Sequence, residues 1–343
     1  MSTMLRHHRL LLAASFLICL VMTVAALVWA SDPVRFAAKM MRLAPADRWV
    51  DYAWQSDTRL IVSRWRPGRC YLTQVETTKD GAELPLKRLN DRLAGQMRIP
   101  LALKVSPDGA WLLWADGDGR RAWRYVAALD GSRLSRWPIR LSDVPVSPET
   151  NHAWLPNGLT WGELRHGTNS SLLLLRGVEV SNQPQTIPVL VPNTGPGNAS
   201  ERPNALLGFL ADGRALIKGW SVMYAGQANT LPLYEVPSRG ARQMVRTHLL
   251  RAPEQVWPAE VVLSPRRDRL AWTFWNLRTG MMTIQVSRAD GSAMKTLGAI
   301  KVGGLPSAAS RPVPAQPRLL RWTPDGKSVS FLYKDALYLV RVP

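Results

Sequence analysis

Ser106-Pro107-Asp108-Gly109 is followed by the apolar run Trp111-Leu112-Leu113-Trp114-Ala115. Proline presets φ at the first central position of a turn. Asp before Gly then supplies a local hydrogen bond and a residue that tolerates positive φ. The apolar, aromatic-rich run behind it reads as a β-strand, so the whole stretch is a hairpin device.

The device recurs. Leu155-Pro156-Asn157-Gly158, Leu210-Ala211-Asp212-Gly213 and Thr323-Pro324-Asp325-Gly326 repeat it, with degenerate copies at Gln55-Ser56-Asp57-Thr58 and Ser264-Pro265-Arg266-Arg267. The spacing is roughly 50 residues, close to the ~40–50 of a propeller blade. Apolar runs follow at 60–65, 111–115, 159–164, 215–220, 270–275 and 328–333. In this reading Asp57, Asp108, Asn157, Asp212 and Asp325 are structural turn residues and not catalytic acids.

A second marker keeps the same register. Asp80-Gly81, Asp130-Gly131-Ser132 and Asp290-Gly291-Ser292 follow Asp57, Asp108 and Arg266 by 23, 22 and 24 residues. Strands are expected before these markers (71–77, 123–129, 283–287) and after them (84–89, 134–139). With the strand before the first marker, each unit has four antiparallel strands, which predicts an all-β, six-bladed β-propeller over residues 47–343. Its last repeat stops at a third strand, 336–342. The missing fourth strand is expected from residues 34–50, pairing chain start with chain end; the alternative is a short helix at 34–43 and a three-stranded last blade.

Pro-Asp-Gly hairpins, the apolar strand after each and the later Asp-Gly turn resemble the TolB-like propellers of bacterial envelope proteins, over about residues 47–343. TolB carries an additional α/β domain before its propeller, and here only residues 31–46 separate the apolar segment from the first repeat. The resemblance implies the fold. It carries over no partner, because the shared motifs are turns.

Residues 10–30 form a 21-residue stretch without a charge, preceded by Arg6 and Arg9. As a helix rising ~1.5 Å per residue, it is long enough to cross a hydrocarbon core of ~30 Å. The expected organisation is a short cytoplasmic tail (1–9), a transmembrane signal-anchor helix (10–30), a juxtamembrane linker (31–46) and a propeller on the periplasmic or extracellular side. The competing reading is secretion after cleavage behind Ala30, since Val28-Trp29-Ala30 has the look of a processing site. Of the two cysteines, Cys19 lies in the apolar segment behind Ile18, unlike a lipoprotein signal, and Cys70 is left without a partner. A disulfide scaffold is excluded.

The formal net charge is +19, and all but nine of the 44 basic residues are Arg. They are scattered in small groups, which reads as a solvated basic surface, with attraction to anionic lipid or an acidic partner as the alternative, and not as a nucleic-acid site. No Gly-x-Ser-x-Gly nucleophile elbow occurs; Gly219-Trp220-Ser221-Val222-Met223 comes nearest and lacks the second Gly. His152, His166 and His248 are too far apart in sequence to suggest a ligand pair on one element. Asp116-Gly117-Asp118-Gly119 is a hairpin tip whose two carboxylates, Asp116 and Asp118, make a weak calcium candidate. No cofactor is implied. The expected function is a non-catalytic protein-interaction or scaffold subunit of an envelope or membrane complex, with a ligand- or carbohydrate-binding protein or enzyme at the central channel as the alternative.

Overall fold

The computed structural model describes residues 34–36, 40–46, 48–66, 69–78, 82–94, 100–117, 120–140, 151–166, 171–178, 184–189, 203–219, 229–237, 245–252, 256–276, 278–302 and 317–343. The 10–30 segment, Asp80 and Asp118 lie outside the described residues. Among the described residues no helix is long and apolar enough to cross a membrane.

Each turn-and-strand repeat folds as one antiparallel sheet, and six sheets form the ring. Blade 1 holds β3 (Trp49–Ser56), β4 (Arg59–Arg66), β5 (Arg69–Glu76) and β6 (Ala82–Pro85). Blade 2 holds β7 (Leu101–Val105), β8 (Trp111–Gly117), β9 (Ala122–Ala128) and β10 (Leu134–Ile139). Blade 3 is built from β11 (His152–Trp154), β12 (Thr160–His166), β13 (Ser171–Gly177) and β14 (Gln185–Val189). In blade 4 the order is β15 (Pro203–Phe209), β16 (Ala215–Gly219), β17 (Asn229–Val236) and β18 (Val245–Ala252).

Chain start and chain end meet in the last two blades. Blade 5, with β19 (Val256–Leu263), β20 (Arg269–Asn276), β21 (Met281–Arg288) and β22 (Lys295–Lys301), gains β1 (Val34–Phe36) as a fifth strand. Blade 6 has β23 (Arg318–Trp322), β24 (Ser328–Tyr333) and β25 (Ala336–Arg341), and takes its fourth strand from β2 (Met40–Pro45), with Met40 opposite Val340 and Pro45 opposite Ala336. The helical alternative for 34–43 therefore does not hold for the residues described there. Closure in this manner covers β25, which would otherwise present a row of unpaired backbone groups.

The core lies between the blades. Six buried clusters occupy the six junctions; for example, Ala53, Ile61 and Leu72 of blade 1 meet Leu103, Leu112 and Trp114 of blade 2. Trp114, Trp161 and Trp272 are fully buried there, whereas Trp65 is exposed. At the junction of blades 2 and 3 a polar network joins the apolar contacts. Arg124 donates to His152 Nδ1 at 2.6 Å and to Glu163 Oε1 at 3.1 Å.

One expected strand became a helix. Residues 84–89 were expected to continue a strand, yet β6 stops at Pro85 and α1 (Lys87–Arg92) follows. Leu86, Leu89 and Leu93 stand at helical spacing, and Leu89 and Leu93 are buried against the first junction. Asn90 takes the place of the missing strand: its Oδ1 accepts Leu72 N–H at 2.9 Å and its Nδ2 donates to Leu72 O at 2.8 Å. Arg92 then donates to Gly131 O and Ser132 O, pinning α1 to the Asp-Gly-Ser turn of blade 2. Gly131 has φ +73°, and a Cβ there would meet Leu89 N at 2.9 Å, so the turn and the close approach both require glycine.

Ring closure can be tested by truncation. A chain starting at Val34 is expected to unfold like the full chain, while one starting at Arg48 loses both β1 and β2. The burial of Met40, Leu43, Ala44 and Ala46 in the ring is worth on the order of 3 kcal/mol, so the thermal midpoint should fall by roughly 6–12 °C. Equal midpoints for the two truncations would show that β2 does not hold the ring closed.

Candidate functional site

The inner strand of each blade runs along the central channel and ends at the turn that marks the repeat, which places all six turns at one rim. Their polar residues hold the turns locally. Asp108 Oδ1 accepts Ala110 N–H at 3.1 Å, Asn157 Oδ1 accepts Thr160 N–H at 3.0 Å, and Asp325 Oδ1 accepts Lys327 N–H at 2.9 Å. Asp212 Oδ1 accepts Arg214 N–H at 3.0 Å. Asp57 instead reaches the neighbouring blade and accepts Asp325 N–H at 3.0 Å.

Inside this rim is a cavity of about 480 Å³ to which all six blades contribute. Aligned on the turns, the residues two before each turn are Ala53, Lys104, Ala153, Gly208, Val262 and Arg321, and all six line it. Four are small or apolar and two are cations. The next layer toward the rim is Trp54, Val105, Trp154, Phe209, Leu263 and Trp322. Three of its indoles are committed to the preceding blade, since Trp54 Nε1 donates to Ser330 Oγ, Trp154 to Lys104 O and Trp322 to Val262 O.

The two cations are positioned by the same device used twice. Four residues before the turn, blades 1 and 5 carry the buried carboxylates Asp51 and Glu260. The strands they face, β7 and β23, have register shifts at this height, with Ala102 at φ +58° and Leu319 at φ +59°. Such bulges leave backbone N–H groups without a ladder partner. Asp51 Oδ2 accepts Leu103 N–H at 2.9 Å, and Glu260 accepts Leu319 and Leu320 N–H at 3.2 and 2.7 Å. Immediately past each bulge stand Lys104 and Arg321.

Arg321 is 7% exposed and donates through one Nη to Asp51 Oδ1 at 3.2 Å and through the other to Leu320 O at 2.9 Å; its Nε has no partner among the described residues. Lys104 Nζ makes no hydrogen bond or ion pair among the described residues. Lost hydration and the nearby Arg321 charge push its pKa down from 10.5 to about 7, against a smaller opposing pull from Asp51. A third cation, Arg267, occupies the glycine position of the blade 5 turn at φ +65° and donates to Phe209 O at 2.6 Å. A non-glycine residue in that conformation costs about 1–2 kcal/mol, and its side chain also lines the cavity.

His152 and His166 are not among the residues that line the cavity. His152 is fully buried; its Nε2–H donates to Ala102 O at 2.8 Å while Nδ1 accepts from Arg124. Burial, then the Arg124 charge, push its pKa well below the usual range and keep it neutral. His166 binds Asn204 O at 3.1 Å, and His248 lies on β18. Asp116 is buried near the end of β8. Among the described residues no group of three His, Cys, Asp or Glu side chains is placed to hold a metal ion. Lys104, Arg321 and Arg267 were not singled out from sequence; aligning the repeats on their turns would have shown two cations at an otherwise apolar inward position.

No protein-family model matches the chain, and no curated protein matches it in sequence. Solved structures do match in fold. A putative TolB from Agrobacterium tumefaciens is 15% identical, with 90% of this chain and 99% of that chain covered at a TM-score of 0.50. TolB from Acinetobacter baumannii is 11% identical, with 83% of this chain and 64% of that chain covered, also at 0.50. An oligogalacturonate lyase in complex with manganese is 12% identical, with 90% and 94% covered at 0.51. The chain shares the six-bladed β-propeller fold of these structures.

Proposed function

We propose that the chain is a protein-interaction propeller held at a membrane on its periplasmic or extracellular side, serving as a scaffold subunit of an envelope complex. The observation that carries this reading is how closely the closed ring follows the 21-residue uncharged segment. Only Ser31, Asp32 and Pro33 separate Ala30 from β1, a span of at most about 11 Å.

A tether that short, joined to the outermost strands of blades 5 and 6, would set the propeller on its side against the bilayer. Arg35, Lys39 and Arg42 then lie in the connecting stretch, where anionic headgroups would attract them. Both rims of the channel stay open to a protein partner. The reading assigns no catalytic role, in keeping with a sequence that has no nucleophile elbow.

Cross-linking in intact membranes, followed by identification of the products, tests the partner; an alkaline wash tests the tether. The expected results are a discrete heteromeric product and retention in the membrane pellet. Migration as an uncross-linked monomer would count against a scaffold, and release with a new N-terminus at Ser31 would establish the secreted alternative. The cation-lined cavity favours a second reading, in which the channel itself takes a ligand.

A further inference from the structure

We infer that the channel cavity is a binding site for a small organic carboxylate, held by Lys104 and Arg321 with its apolar body against the aromatic layer below the turn rim. This deepens the second reading above and does not depend on membrane attachment or on a protein partner.

Three independent observations converge on one space. The cavity, about 480 Å³, falls within the ~300–1,000 Å³ of small-molecule sites. Its walls are mostly apolar, through Trp154, Phe209, Trp322 and Val262, which suits a body with few polar atoms. Its charge is one-sided. Lys104, Arg267 and Arg321 line it, and the carboxylate that neutralises part of this charge, Asp51, is already committed to Leu103 N–H, Tyr52 N–H and one Nη of Arg321.

Among the described residues, the ammonium of Lys104 and the Nε–H of Arg321 remain unpaired. A partly desolvated cation without a counter-ion is unfavourable to keep unless something else is to neutralise it. The structure builds this arrangement through two matched carboxylate-held bulges, in blades 2 and 6, rather than by a chance substitution. Arg267 adds a cation at the rim in a backbone conformation that glycine would adopt with less strain.

Affinity should depend on pH through Lys104. The charged groups around it are Arg321 from β23, Asp51 from β3 and, lining the same cavity, Arg267 at the blade 5 turn, while burial keeps His152 on β11 neutral. The facing residues Gly208, Phe209 and Val262 carry no charge. An anion binds the protonated lysine, so affinity is full below pH 7 and falls as pH rises.

The test is titration calorimetry on the full-length chain with benzoate, citrate, inorganic phosphate and the neutral isostere benzamide. Expected is binding of benzoate or citrate at least tenfold tighter than benzamide, weakened roughly tenfold between pH 6.5 and 8.5. Lys104→Met, which keeps the apolar stem, should lose tenfold or more at pH 6.5 and show a flat pH profile. Arg267→Gly, which gives the turn its usual residue, should fold normally and weaken binding several-fold.

Three results would overturn the inference: no heat from either carboxylate at 10 mM, equal affinity in Lys104→Met, or phosphate binding with no carboxylate binding. A Lys104→Met chain that fails to fold leaves the benzamide comparison and the Arg267→Gly arm to decide.

Discussion

Lys104→Met should make the propeller more stable, by on the order of 2–4 kcal/mol at pH 6. The wild-type ammonium sits in the channel with a pKa near 7, against 10.5 for a hydrated lysine, so the folded state pays to keep it charged. Methionine retains the packing of the stem and removes that cost. Below pH 7 lysine is protonated in both folded and unfolded chains, and the full penalty applies. Between pH 7 and 10.5 the unfolded chain holds a proton that the folded chain releases, so wild-type stability rises with pH and the gap to Lys104→Met closes. Denaturant melts at pH 6, 8 and 10 measure this. A variant less stable than wild type at pH 6 would mean that Lys104 has a partner that holds it in place, and would remove the reason for expecting a ligand.

Asp51→Ala should have the opposite effect and a larger one, costing about 3–5 kcal/mol. Its carboxylate accepts Leu103 N–H at 2.9 Å and Tyr52 N–H at 2.7 Å, and pairs with Arg321 at 3.2 Å, all with Asp51 at 1% exposure. Without it, two backbone donors lose their acceptor and a buried guanidinium loses its counter-charge. The bulge at Ala102 then has nothing to hold it, so the damage should reach the blade 1 to blade 2 junction. A midpoint drop of roughly 10 °C is expected. In an Arg321→Met background the same change should cost visibly less, since the stranded cation is gone; an equal cost in both backgrounds would locate the effect in the backbone donors alone. Removing Asp51 also takes away the one nearby charge that raises the Lys104 pKa, which should shift the pH dependence of the channel downward.

Strand placement could be read where local signals agree. β10 and β24 run over residues 134–139 and 328–333 as the hairpin markers and apolar runs imply. The strand after the first Asp-Gly marker was misread because its apolar residues fit either period. Leu84, Leu86 and Leu89 suggest an extended run, yet Leu86, Leu89 and Leu93 also form a helical stripe, and the contacts of Asn90 and Arg92 with β5 and blade 2 favour the helix. Tryptophan positions were visible and their roles were not: Trp65 and Trp161 both stand on central blade strands, one exposed and one fully buried. The side of a blade that meets a neighbour is a property of the ring.

The recurrence of the Ser106-Pro107-Asp108-Gly109 turn and the strand behind it makes this chain a six-fold repeat of antiparallel hairpins from sequence alone, because turn chemistry and strand periodicity act over a few residues. What those repeats surround is set by the closed ring. Asp51 and Arg321 are 270 residues apart and meet because the ring closes between them. Lys104 loses its hydration because five other inner strands stand around it, and the bulges that aim the two cations exist because a carboxylate from the neighbouring blade accepts the N–H groups they free. Nothing within reach of any one repeat records those neighbours.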